Sequence, residues 1–306
     1  MSDRTPVKKA VLVGIRSKPS ADFDDVPGAH KDVKKLWELL TQTYQYEPSD
    51  ITILVDLGPR QRNPDLLPTK ENMLRAMREL VADKVAGDRI VFSFSGHGDQ
   101  AAPTNDKNET DGKDEVLMTA NTGGPCTGYS HFIRDDDIRE IFVDQLQEGV
   151  QCTLIFDCCH SGTACDLPEV DDSGPASAPG FSSEETLNHE HAASAQNGDL
   201  DTAAGSQATD FASRKEVASW SACSDDQLTY GSRKGGCFTD AFVDILGGLN
   251  GNTIQYQDLL LGLRDRLEAV IDNVNERDAP SPPYEVPTPQ LGSLRANCIL
   301  GEDFTL

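Results

Sequence analysis

Two short segments carry residues able to do covalent chemistry. In FSFSGHGDQ, His97 stands between Gly96 and Gly98 directly after an apolar run, so its imidazole sits on a turn with little steric cover. In IFDCCHSGT, an equally apolar run ends at Cys159, and Ser161-Gly162 permit a tight turn beyond it. A thiol at such an edge is exposed enough to react. It is mostly protonated at neutral pH; a neighbouring imidazole can take that proton, and turn amides can hold the oxyanion formed when the thiolate attacks a carbonyl. The backbone N–H groups of Gly98 and Cys159 are the candidate oxyanion donors. Residues two apart on a strand share a face, which puts Asp157 beside Cys159. An unpaired buried carboxylate is costly, so Asp157 is better explained by a cation that it meets than as core. A lone His after a strand is more often structural and a lone buried Cys more often packing, but both at matching strand ends favour a nucleophile with its base. Cys158, Cys159, His160 and Cys165 also crowd together. Adjacent strand residues point to opposite faces, and no second CxxC pair completes a tetrahedral zinc site.

These tips need a sheet to hold them. Apolar, β-branched runs at 7–15 (VKKAVLVGI), 51–56, 88–96 and 151–159 alternate with amphipathic stretches near 28–45, 69–86 and 135–147. Such alternation predicts a largely parallel α/β sheet with function at the strands' C-terminal ends. After Asp166 the composition changes: residues 165–212 hold ten Asp/Glu and no Lys or Arg, and are rich in Ser, Ala, Gly and Asn. A segment of that kind cannot offset its ordering entropy, so 167–213 is read as an acidic disordered linker between a larger region, 1–166, and a smaller one, 214–306, that share one sheet. In the smaller region KEVASWSACS predicts a strand, GCFTDAFVDILGGL and 254–273 predict helices, and the Pro-rich 279–289 stretch is extended or loop.

The chain has 306 residues with 27 Lys+Arg against 51 Asp+Glu, a formal charge of −24. Nucleic acid and anionic membranes would be repelled by such a surface, and cations and basic peptides are the natural ligands. The start MSDRTPVKK has no apolar core of signal-peptide length, and no run approaches the roughly 20 apolar residues of a transmembrane helix. The expectation is a soluble protein of the cytoplasm, with the nucleus as a second compartment, whose eight cysteines stay reduced.

SGHG, DCCHSG, SACSDDQ and GCFTDAF together resemble the motifs of type I metacaspases, relatives of caspases that prefer a basic P1 residue. The likeness runs from about residue 7 to 301 apart from the linker, in the order large subunit, linker, small subunit. It implies a caspase-like three-layer α/β sandwich and a cysteine endopeptidase with His97 as general base and Cys159, not Cys158, as nucleophile. It also implies an acidic P1 pocket formed by Asp32, Ser95 and Asp157, in which two carboxylates around a guanidinium make bonds that a neutral residue could not repay. From sequence alone the better reading of Asp32 is an ordinary first-turn helix carboxylate, so its place in the pocket rests on the resemblance. The family usually carries Cys where Ala29 stands. Calcium is the implied cofactor, with Asp114, Asp135, Asp136 and Asp166 as its ligands; hard oxygens from separate loops suit that ion. RDDD is also what a helix N-terminus favours. NDKNETDG (105–112) hints at an EF-hand loop, but Val116 would stand at its twelfth position, which excludes it. A zymogen that cuts itself near Arg214 or Lys215 follows from the resemblance and from the absence of any Lys or Arg between Arg139 and Arg214. Monomer is the expected state, and the sequence starts without the Pro/Gln-rich extension common in type I members, so partners recruited by one are not expected. The competing readings are a catalytically silent caspase-like scaffold and a calcium-responsive binding protein.

Overall fold

The computed structural model describes residues 4–20, 23–101, 113–120, 131–159, 161–162, 164–170, 215–296 and 298–306. Its centre is a six-stranded sheet in the order β12-β8-β7-β3-β1-β2. The strands are β1 (Lys8–Gly14), β2 (Ile51–Val55), β3 (Arg89–Ser95), β7 (Gln151–Asp157), β8 (Glu216–Ser221) and β12 (Gln290–Ser293). All neighbours pair in parallel except β12, which runs antiparallel to β8. From β1 the chain adds β2 on one side and β3 on the other. The connections leaving β1 and β3 therefore splay apart at their C-terminal ends, the place where an open α/β sheet takes its ligands.

Strand alternation sorts the core into two layers. Val11, Val13, Phe92, Phe94, Leu154 and Phe156 pack on α2 (Lys70–Val81) and α3 (Asp135–Arg139), while Ala10, Leu12, Val91, Ile155 and Trp220 pack on α1 (Ala29–Glu38), α4 (Cys237–Gly248) and α5 (Tyr256–Asp278). The helices supply apolar residues at helical spacing, such as Met73, Met77 and Leu80 from α2 and Leu260, Leu263, Leu267 and Ile271 from α5. Parity then sets the site: Ser95 and Asp157 continue the face of Val91 and Ile155, towards α1, whereas Cys158 falls on the opposite face and is buried there.

Several boundaries differ from the sequence expectation. Helix α2 ends at Val81 and not near 86, because Ala82 is extended and Asp83 turns left-handed (φ 57) into a turn tied down by Asp88, which accepts from Val85 and Val7. The helix expected at 135–147 is α-helical only to Arg139 and continues as a wider π turn to Asp144. Helix α5 begins at Tyr256 and runs past 273 to Asp278, where Ala279 (φ 42) ends it ahead of Pro280. A small antiparallel sheet, β4 (Gly98–Ala101), β5 (Asp114–Met118) and β6 (Phe132–Arg134), was not anticipated, nor was β12. The expected linker also starts too early. Leu167 and Val170 are buried, Val170 N donates to Leu291 O at 2.8 Å, and Glu169 bridges Gly292, so these two apolar residues dock the segment on β12. Residues 171–214, and the 105–112 stretch, lie outside the described residues. Among the described residues no helix is long and apolar enough to cross a membrane.

Candidate active site

His97 follows β3 and Cys159 follows β7, two neighbouring parallel strands whose register pairs Ser95 with Asp157. Both side chains line one cavity of about 170 Å³ together with Asp32, Ser95, Asp157, Tyr230 and Gly236. His97 Nε2 lies 2.7 Å from the carbonyl oxygen of Asp24, and the ring packs 4.9 Å from that of Phe23. A carbonyl oxygen only accepts, so Nε2 is the donor in this contact and Nδ1 is the nitrogen left to act as a base. The Cys159 thiol is half-buried, its sulfur 4.0 Å from the carbonyl of Thr229, and burial pushes it up from the ordinary cysteine value, with the charges of Asp157 and Asp99 adding to the effect. The thiol at rest is therefore protonated and needs a base.

Gly98 stands where β4 and β5 face each other without ladder bonds: Met118 N donates to His97 O at 3.0 Å, which leaves the Gly98 N–H outside the ladder. A Cβ on Gly98 would lie 2.1 Å from the carbonyl oxygen of Cys159, so only glycine lets the two backbones approach this closely.

The floor of the cavity is acidic. Asp32, in the first turn of α1, is 1% exposed; its Oδ2 accepts from Ser95 Oγ at 2.7 Å and its Oδ1 from Gly236 N at 2.9 Å. Asp157 Oδ2 accepts from Thr239 N at 2.9 Å and from Thr239 Oγ1 at 2.7 Å. Burial pushes Asp32 up to about 7, with the Asp157 charge adding to it, and burial raises Asp157 as well. No Lys or Arg is among the described residues that line this cavity; Lys35, close by on α1, is paired with Asp240. Gly236 makes the arrangement sterically allowed, since a Cβ there would meet Asp157 Oδ2 at 2.1 Å. Ser95 thus reaches the site as a donor to Asp32. Thr239, Gly236 and the Asp24 carbonyl were missed in the sequence; the glycine pair ahead of CFTDAF was the one visible signal.

A second acidic group lies at the edge of the small sheet. Asp114, Asp135 and Asp136 each offer a carboxylate oxygen within 4.8 Å of the others, and they are the one such group of three or more His, Cys, Asp or Glu among the described residues. Asp135 Oδ2 accepts from Glu115 N at 2.7 Å and Oδ1 from Asp136 N at 2.8 Å, and burial pushes it up to about 8, with the charges of Asp166 and Glu115 adding. Arg134 pairs with Asp114. Asp166 stands outside the group of three; it is left-handed (φ 49), and its carbonyl takes the guanidinium of Arg139.

A caspase-like sandwich with thiol and imidazole at adjacent strand tips defines a cysteine-peptidase class, and known proteins agree. The solved structure of Caspase-1 from Spodoptera frugiperda superposes with a TM-score of 0.55 at 11% identity, covering 94% of this chain and 87% of that one. A Geobacter sulfurreducens protein does so with a TM-score of 0.58 at 15% identity over 97% of each chain. A family model described as metacaspase, peptidase C14 domain, matches residues 8–168. Metacaspase-1 of Pyricularia oryzae is 35% identical over 290 residues, which cover 87% of this chain and 70% of that protein. Metacaspase-1 of Sclerotinia sclerotiorum is 40% identical over 169 residues, 55% of this chain and 37% of that protein. The chain belongs to the metacaspase family of C14 cysteine peptidases.

Proposed function

We propose that this chain is a calcium-dependent endopeptidase that cleaves after Arg or Lys, with Cys159 as nucleophile and His97 as base. The observation that carries the reading is the shared cavity, in which the thiol and imidazole stand over two buried carboxylates. His97 Nδ1 takes the thiol proton, the thiolate attacks the scissile carbonyl carbon, and the N–H groups of Gly98 and Cys159 hold the oxyanion. The imidazolium then protonates the leaving amine, and water, deprotonated by the same ring, releases the acyl group. A P1 guanidinium or ammonium enters between Asp32 and Asp157, buried carboxyls whose ionised form an arriving positive charge stabilises. Each charge-assisted hydrogen bond formed there contributes about 1.5–3 kcal/mol.

Asp114, Asp135 and Asp136 would hold calcium, with Asp166 as a further carboxylate. The donor set fits a hard cation, because burial and neighbouring like charge disfavour ionisation of Asp135 when no cation is close. The ion would supply charge neutralisation and cross-link the β5–α3 edge. Self-cleavage in the linker belongs to the same reading. Arg214 lies outside the described residues; the Lys215 ammonium donates to the carbonyls of Val143 and Asp144 at 2.7 and 2.9 Å. That anchoring favours the bond after Arg214, because a cut after Lys215 would require its side chain to leave those carbonyls. The enzyme acts as a monomer on protein substrates.

The test is a calcium titration of Arg-, Lys- and Asp-peptide hydrolysis by wild type and Cys159→Ala. Calcium-dependent turnover of the Arg and Lys peptides by wild type alone is expected. Turnover that survives Cys159→Ala, or that favours Asp peptides, overturns the proposal. Mass spectrometry of calcium-treated protein checks the linker site.

A further inference from the structure

Asp56 closes β2, two strands away from β3 and its His97, yet its buried carboxylate collects donors from elements that serve the site. Oδ1 accepts from Arg16 N at 2.7 Å and Oδ2 from Ser17 N at 2.7 Å; Oδ1 also lies 2.8 Å from His30 Nε2. Although burial pushes this carboxyl up, the bonds from His30, Ser17 and Arg16 hold it below the usual carboxylate range. The two amides open the connection from β1 to α1. Further along, that connection is cross-linked twice, by Val26 N donating to Arg16 O at 2.7 Å and by Lys18 N donating to Asp25 Oδ1 at 3.2 Å. Within the loop that these ties close, the chain presents Phe23 and Asp24, which both touch the His97 ring. His30 is the second residue of α1, two positions before Asp32.

We propose that Asp56 is a positioning residue: it staples the connection that carries Asp24 to the helix that carries Asp32, and so keeps the His97 proton on Nε2 and the lone pair on Nδ1. The inference rests on the His97–Cys159 reading above. One acidic side chain joins the backbone that selects the base's tautomer to the element that carries a P1 carboxylate. Without it, the Arg16 and Ser17 amides lose their acceptor, the Asp24 carbonyl is no longer fixed, and the ring distributes its proton over both nitrogens. A role confined to stability would lower the melting temperature and leave the tautomer unchanged.

The experiment compares wild type, Asp56→Ala, Asp56→Asn and Cys159→Ala on an Arg peptide, with ¹⁵N spectra of the His97 ring assigned through His97→Gln. For Asp56→Ala we expect kcat to fall on the order of ten- to a hundred-fold, the range over which outer partners act on the groups they orient. KM should change less, and the His97 nitrogens should move from a protonated-Nε2 pattern towards an averaged one. Asp56→Asn keeps one acceptor oxygen and should recover part of the rate. Folded Asp56 variants with wild-type kcat, or with an unchanged nitrogen pattern, overturn the inference. Should Asp56→Ala fail to fold, Asp56→Asn and His30→Ala decide by the same two readouts. Hydrolysis that persists in Cys159→Ala would instead defeat the dyad reading itself, and the two failures are thereby told apart.

Discussion

Beneath Cys159, the carboxylates of Asp32 and Asp157 are met by neutral donors from Ser95, Gly236 and Thr239. At the edge of the small sheet, Asp114 instead faces the guanidinium of Arg134, while Asp135 draws on backbone amides. Burial pushes Asp32 to about 7 and Asp135 to about 8, so both groups hold a carboxyl well above the ordinary aspartate value. The difference lies in what each lacks. Neutral donors orient the first pair without supplying a countercharge, so an arriving cation would be the first to do so. The second group has part of its charge matched from within, so an ion bound there would share Asp114 with Arg134. The first arrangement suits selection of a guest, the second a structural tie.

The strongest way to break this comparison is to remove what the first group serves. Cys159→Ala should lower Arg-peptide hydrolysis on the order of 10⁴-fold or more while leaving calcium-induced changes in fluorescence or melting intact. Next, Asp157→Asn should cost about a hundred-fold in kcat/KM on Arg and Lys peptides, the equivalent of one or two charge-assisted bonds, with the calcium requirement unchanged. Steady-state kinetics across P1 residues checks this.

Asp32→Asn should cost somewhat less and flatten a pH profile. In wild type the carboxyl ionises as pH rises through about 7, so KM for an Arg peptide should fall across that range and stay level in the variant. The sign for stability is the reverse. A folded value raised above the ordinary 3.8 stabilises fully below about 4 and loses that contribution as pH rises through about 7. The melting temperature of wild type relative to Asp32→Asn should therefore decline over the same interval.

Changes at the second group should leave P1 preference alone. Asp135→Asn is expected to raise the calcium needed for half-maximal activity about ten-fold, since ligand charge count tunes such sites. The smallest effect falls on Thr239→Val, which removes the 2.7 Å hydroxyl bond to Asp157 and keeps the backbone one. KM for Arg peptides should rise about five-fold, the equivalent of one hydrogen bond worth about 1 kcal/mol.

Much of this was readable from residue types. Apolar runs ending in Gly96-His97 and Cys158-Cys159 located two strand tips, and the two-residue period placed Asp157 with Cys159, because buried parallel strands leave a plain hydrophobic trace. What escaped was whatever depends on backbone atoms or distant partners. The carbonyl of Asp24 has no side-chain signature, and its link to His97 spans a separation of 73 residues. Thr239 meets Asp157 only because α4 packs on the sheet face that carries Asp157, a contact no local pattern encodes. Strand β12, QLGS after a Pro-rich stretch, is too short and too poor in β-branched residues to read as a strand. Leu167 and Val170 were lost in the acidic composition that follows them.

The parallel pairing of β7 with β8 joins residues on either side of the 171–214 segment, and Trp220 of β8 is fully buried in a core layer to which both halves contribute. Severing the chain anywhere in that interval would break one covalent link while every rung of the ladder stayed in place. The nicked molecule would keep its size in solution and separate into two fragments only under denaturing conditions, so proteolytic maturation here would change connectivity without changing composition.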